Sequence, residues 1–112
     1  MSNTVTFLRP VVGVTFVDDY PHNLLGITKP RPARLVRNPA NEFDPNAIEV
    51  RTDDGVMIGH LDRGTALMMA TAMDQGRVSL SVELQPARVD QAAPNQPGIS
   101  VLIASTLLEV AE

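Results

Sequence analysis

Residues 37–61 constrain the fold more than any other part of the chain. Pro39, Pro45, Asn38, Asn41 and Asn46 fall within nine residues, so no helix can run there. Proline fixes φ and lacks the N–H, and asparagine hydrogen-bonds its own backbone in turns. The pattern then changes to that of a strand, with Ile48 and Val50 alternating with Glu49 and Arg51. Asp54-Gly55 predicts a tight hairpin turn, since glycine tolerates positive φ. Val56 to Leu61 predicts the returning strand. A stiff polar loop therefore feeds a hairpin and presents Phe43, Asp44 and Asn46 at its mouth. An aromatic ring beside a carboxylate on such a loop points to a site.

At 112 residues, 44% of them apolar, the chain suits one domain that buries a core without staples. We expect that domain to span residues 1–112, with its core in 11–110. Cysteine is absent, which excludes a disulfide framework, a zinc–thiolate site and a thiol nucleophile. No stretch approaches the roughly 18 to 20 apolar residues of a membrane span. The first ten residues lack the basic start and apolar run of a signal peptide. A cytoplasmic location without membrane contact is the expectation. Nine prolines and seven glycines favour many short strands over long helices.

A net charge of −4 argues against binding duplex DNA by bulk electrostatics. The distribution is less uniform than the total. From Tyr20 to Asn41 there is no acidic residue, whereas Lys29, Arg31, Arg34 and Arg37 all fall there. Two readings stand: a solvated edge strand with basic gatekeepers, or a small basic patch for phosphates.

In chain order, residues 1–10 read as a loose lead-in or short edge strand. Val11 to Val17 reads as a buried strand, with Gly13 marking a bulge or a close backbone approach. Residues 18–23 read as a loop, 24–27 as a short apolar segment, and Lys29 to Pro32 as extended. Ala33 to Arg37 reads as a further strand. Asp62 is placed to cap a helix from Arg63 to Gln75 that Gly76 ends. Ala66, Met69, Ala70 and Met73 recur at helical spacing and form its buried face. Val78 to Gln85 alternates as a half-buried strand. Residues 86–98 read as a long mobile polar loop, and Ile99 to Val110 as one or two strands, with Ser105 and Thr106 marking any break. The sum is a mainly β fold: a small, partly closed barrel of the OB or SH3-like sort with one α-helix.

The central stretch resembles the HIRAN domain family. Its pattern is carried here by Arg37, Pro39, Asn41, Phe43, Asp44, Asn46, Ala47, Ile48 and Val50, then Gly59, His60 and Leu61. Val11 to Val14 is similar to the family's opening strand, and the likeness covers roughly residues 11–85. The resemblance implies a modified OB-like barrel that serves as a binding module. Such modules occur within DNA-remodelling and repair helicases, and as free-standing bacterial or phage proteins, the type this chain resembles. In the helicase-linked members the domain captures the 3′-hydroxyl end of single-stranded DNA. Carried over residue by residue, Asp44 would contact the terminal hydroxyl, and Phe43 would help hold the end nucleotides. Phe16 would stack on a base, and His60 and Arg63 would approach phosphates. Thr15 stands where the family has an arginine, and Phe16 and Phe43 where tyrosine is common. Arg34 and Arg37 are the candidates to compensate.

The chemistry of these groups fits in part. An ionised carboxylate accepts only, so it takes the proton of a 3′-hydroxyl and repels a 3′-phosphate. Aromatic faces stack on any base at about 1–3 kcal/mol each. Plainer readings stand beside these: Asp44 bonded within its own turn, both phenylalanines in the core, His60 packed at a strand end. His22 and His60 make a weak metal pair, and Asp44 and Asn46 start a calcium-loop spacing that does not continue. No catalytic set appears, so the expectation is a binding module, not an enzyme, without cofactor. Its partner would be a single-stranded DNA 3′ end, with a helicase, nuclease or other protein beside it. The alternative is a protein-interaction module on the same fold that has lost DNA binding. Phe16, Phe43, Asp44 and His60 are expected to converge on one cleft beside Arg63. A positive surface around Phe43 would favour DNA, and a neutral or acidic one a protein.

Overall fold

The chain enters the sheet much earlier than its sequence suggests. In the computed structural model, which describes residues 3–24, 27–86, 88–90 and 93–108, the first strand β1 is Thr4–Val12. Of the two readings of residues 1–10, the strand is the one that holds, but it is long and lies within a closed ring instead of being short and at an edge. Continuation to Val17 does not occur. Gly13 takes a left-handed φ of 70°, and Val14–Phe16 coil into one 3₁₀ turn. An added Cβ at Gly13 would meet nothing within 4 Å, so the glycine serves this turn and not a close approach. A second 3₁₀ turn, His22–Leu24, follows a cis Tyr20–Pro21 bond.

Further strands are β2 (Arg31–Arg37), β3 (Ile48–Thr52) and β4 (Met57–Leu61). The β3–β4 turn is the expected one, with Gly55 at φ 94°. Then come helix α1 (Arg63–Asp74), β5 (Val78–Leu84), a hairpin of β6 (Arg88–Asp90) and β7 (Ala93–Gly98), and β8 (Ser100–Leu107). The region expected to be a mobile loop is thus largely a two-stranded hairpin, and β7 lies beside the 14–16 turn. The final strand runs through Ser105 and Thr106 without a break, and the part of that expectation beyond Leu108 lies outside the described residues.

Six strands form a closed antiparallel ring in the order β1-β4-β3-β2-β5-β8, with β8 returning to β1. Closure, in place of the partial closure expected, comes from the first half of β1, which the sequence offered only as a lead-in or a short edge strand. It pairs with β8 from Thr4↔Thr106 to Pro10↔Ser100. Ile48, Val50, Ile58, Leu84, Val101 and Ile103 fill the interior without exposure. Each such side chain contributes about 1.5–3 kcal/mol by burial. The helix packs Ala66, Met69 and Ala70 inward, with Met73 partly buried against the core. Asp62 caps its start, accepting from the Thr65 N–H at 3.2 Å and its hydroxyl at 2.5 Å.

One contact fixes where the site forms. A Cβ at Gly59 would lie 2.6 Å from the Val12 carbonyl oxygen and 2.8 Å from Val11 Cγ1. The bare glycine lets β4 close on the end of β1, pairing Val12 with His60. That junction brings the 14–16 turn beside His60.

Candidate functional site

The loop between β2 and β3 is built from its own side chains. The Asn41 Oδ1 accepts from the N–H groups of Phe43 and Asp44 at 2.9 and 3.0 Å. The Asp44 Oδ1 accepts from the Asn46 N–H at 2.9 Å. The Asn38 N–H closes the loop on the Ala47 carbonyl at 2.9 Å. Backbone groups that would otherwise face water or orphan themselves are thus satisfied within the loop. With the backbone so held, the Phe43 ring projects outward and is 85% exposed. Phe16, on the 3₁₀ turn and not on a strand, is 89% exposed. Neither ring belongs to the core.

Both rings border one cleft in two lobes that share Gly13, Phe43 and His60. The wider lobe, about 720 Å³, adds Phe16, Asp18, Asp19 and Met57. The narrower, about 250 Å³, adds Asn41, Asp44 and Arg63. Phe16, Phe43, Asp44, His60 and Arg63 therefore meet along one surface. Thr15 is exposed on the same turn and Arg34 is exposed on β2, and neither lines the cleft. Arg37 is also outside the lining. Its side chain is 14% exposed and engaged by Asp74 and by the loop carbonyls of Pro45 and Ala47.

Asp44 divides its oxygens. Oδ1 holds the turn, as the plainer reading had it, whereas Oδ2 lies 3.9 Å from the Arg63 Nε. The Asp44 side chain is 17% exposed and that of Arg63 is 75% exposed. Arg63 also donates to the Phe43 carbonyl at 3.2 Å. Among the described residues Oδ2 accepts no hydrogen bond and is approached only by the exposed Arg63, which leaves it able to accept from an incoming donor. Among the described residues, the other charged side chains lining the cleft are acidic: Asp18 and Asp19 in the wider lobe and Asp44 in the narrower, with neither Arg34 nor Arg37 in the lining. Asp18 and Asp19 escaped the sequence reading, which saw a plain loop. Their position two and three residues after Phe16 was the available signal.

Among the described residues, no group of three or more His, Asp or Glu side chains could hold a metal ion. No described helix is long and apolar enough to cross a membrane.

The HIRAN domain family model matches residues 6–103. The chain belongs to the HIRAN family. Solved structures agree in fold. The crystal structure of the HIRAN domain of human HLTF is 23% identical, with a TM-score of 0.71 over 96% of this chain and 82% of that one. A crystal structure of a protein from Lactobacillus plantarum is 26% identical, with a TM-score of 0.74 over 96% of this chain and 100% of that one. The HLTF HIRAN domain in its DNA-bound conformation, solved by NMR, is 23% identical, with a TM-score of 0.58 over 93% and 73% of the two chains. No curated protein matches the chain. The HIRAN match begins ahead of the stretch that carried the sequence resemblance, in agreement with a first strand that starts at Thr4.

Proposed function

We propose that this HIRAN domain binds single-stranded DNA and recognises its 3′-hydroxyl end. The observation that carries the reading is the meeting of two exposed phenyl faces with the spare Asp44 oxygen and Arg63 in one cleft. The DNA-bound state of the related HLTF domain supports the same ligand class. Stacking on Phe16 and Phe43 holds the last bases regardless of sequence. The Asp44 Oδ2 accepts the terminal hydroxyl proton, and a 3′-phosphate in its place would meet a like charge. Arg63, released from the Phe43 carbonyl, reaches the adjoining phosphate, with His60 beside it. Thr15 sits next to Phe16 on the same turn but outside the cleft lining, and Arg34 and Arg37 act on the strand at most from a distance. The module binds and does not catalyse. Its working context is cytoplasmic DNA repair, with a helicase or nuclease that acts on the same end as partner class.

Asp18 and Asp19 favour a second reading. They add two carboxylates to an otherwise largely apolar lobe, which suits a protein ligand on a fold that has lost DNA binding. Fluorescence anisotropy with labelled oligonucleotides separates the two. A 3′-hydroxyl strand should bind more tightly than the same strand with a 3′-phosphate. Asp44→Ala should remove that preference at a cost of about 1–3 kcal/mol, the worth of a hydrogen bond to a charged group. Equal binding of both ends, or none at micromolar protein in low salt, would sink the DNA-end reading and promote the protein ligand.

A further inference from the structure

Arg37 is read from sequence as a phosphate contact, yet its guanidinium is already committed. Its Nε and one terminal nitrogen donate to the two carboxylate oxygens of Asp74 at 2.8 and 3.0 Å. That same terminal nitrogen donates to the Pro45 carbonyl at 3.0 Å, and the other to the Ala47 carbonyl at 2.8 Å. Four bonds leave one face toward α1 and the other toward the segment that follows Asp44. Asp74 is itself oddly placed. It sits in the last turn of α1, where the helix dipole disfavours an anion and a cation is the usual resident. An acid there makes sense when it has a fixed partner, and Arg37 is that partner. Only a planar fork can hold a carboxylate and two carbonyls together; a lysine ammonium cannot keep all of these directions.

We propose that Arg37, anchored by Asp74, is the positioning residue of the binding loop: it clamps the backbone of residues 45–47 to α1 and so aims the Asp44 carboxylate into the cleft. This inference rests on the DNA-end reading for its functional consequence, although the clamp itself does not. Asp44 Oδ1 is tied to the Asn46 N–H, inside the clamped segment. Movement of Pro45 and Ala47 would carry the Asp44 side chain with it. The low carboxyl pKa of Asp74, held below the usual range by the Arg37 hydrogen bond, agrees with a firm pair. Asn41 holds the other side of Phe43 and Asp44. The loop is thus fixed at both flanks, with the reading group between.

The test uses Asp74→Asn and Arg37→Lys in the full chain, alone and combined with Asp44→Ala. Two readouts are taken: anisotropy with 3′-hydroxyl and 3′-phosphate oligonucleotides, and the ¹⁹F spectrum of protein labelled with fluorophenylalanine. Three phenylalanines give three assignable resonances. Each single variant should remain folded and weaken 3′-hydroxyl binding about tenfold, within the range of couplings between contacting groups. The preference over the 3′-phosphate should shrink with it. In the Asp44→Ala background the same substitutions should cost clearly less than in the parent, because the clamp acts mainly through Asp44 and only secondarily through the neighbouring Phe43. The Phe43 resonance should shift or broaden while that of Phe7, in β1, stays. An equal loss in both backgrounds, or unchanged binding by the single variants, would overturn the proposal. So would loss of the whole fold in both variants, which would assign the pair to global stability. If the wild-type protein fails to tell the two ends apart, the DNA-end reading falls, and the ¹⁹F spectrum decides the clamp: an unchanged Phe43 signal rejects it.

Discussion

Phe16 and Phe43 are the residues at which function and stability separate most cleanly. Both rings stand in solvent, so neither supports the barrel. Truncating either to alanine should leave unfolding within about 0.5 kcal/mol of the parent, as expected for surface positions. The same changes should cost about 1–3 kcal/mol in oligonucleotide binding, the worth of one stacked base. Urea denaturation and anisotropy on the same preparations check both halves. A large stability loss would return the rings to the core. The sequence made the Phe43–Asp44 loop legible because asparagine and proline impose turns locally. It could not tell which arginine stays exposed. Arg37 and Arg63 carry the same charge in the sequence, yet one is locked to Asp74 and the other extends into water. That difference depends on which side chain the fold brings near, and charge pattern alone does not carry it. Gly59 is the opposite case, a residue whose role is steric. Gly59→Ala would push a methyl into the Val12 carbonyl and should destabilise the fold by about 1–3 kcal/mol, as overpacking does. A shift in the denaturation midpoint would report it.

Among the elements, α1 was the most legible and β1 the least. The helix carried its own start, stop and apolar face in Asp62, Gly76 and the Ala66, Met69, Ala70 spacing. β1 carried no such signal. Thr4-Val5-Thr6-Phe7 alternates over only four residues, Val5 is as exposed as the threonines beside it, and Pro10 within the strand argues for a loop. Its pairing with β8 supplies what propensity lacks. A hydroxyl contact of 2.7 Å between Thr4 and Thr106 even joins the residue that had looked like a break in β8. The helix cap also sets a pH dependence. The Thr65 hydroxyl, and then its backbone N–H, hold the Asp62 carboxyl below its ordinary range. The unfolded chain therefore binds this proton more readily than the folded one, and stability rises with pH across the window. The contribution is complete above the ordinary carboxylate value of about 3.9 and is lost as pH falls through the folded value. Asp62→Ala should cost about 0.5–2 kcal/mol near neutral pH, the usual worth of an N-cap. Asp62→Asn should keep the cap and flatten the acid limb of the stability curve. An acid limb as steep in Asp62→Asn as in the parent would remove this carboxyl from the account.

The molecule as a whole carries a net charge of −4, and its cleft joins that acidity through Asp18 and Asp19. A ligand with many phosphates is therefore repelled at long range and rewarded at few points. Among the described residues, Arg63 is the one arginine or lysine that lines the cleft. For single strands the logarithm of affinity falls with the logarithm of salt at a slope of about −0.7 for each phosphate neutralised. One such contact predicts a slope of about −0.7, and release of the repulsion by screening flattens it further. Stacking and the hydroxyl contact do not displace counterions, so they persist at high salt. The DNA-end reading thus predicts binding that changes little with salt over a range in which a basic groove would lose most of its affinity. Arg63→Gln should bring the slope to about zero and leave the preference for a 3′-hydroxyl, since that preference belongs to Asp44. Anisotropy titrations of the parent and of Arg63→Gln at several salt concentrations measure both quantities. A parent slope steeper than about −3 would require several neutralised phosphates. The strand would then lie on a different, more basic face, the one that carries Arg34, and the cleft between the two phenylalanines would lose its claim to be the site.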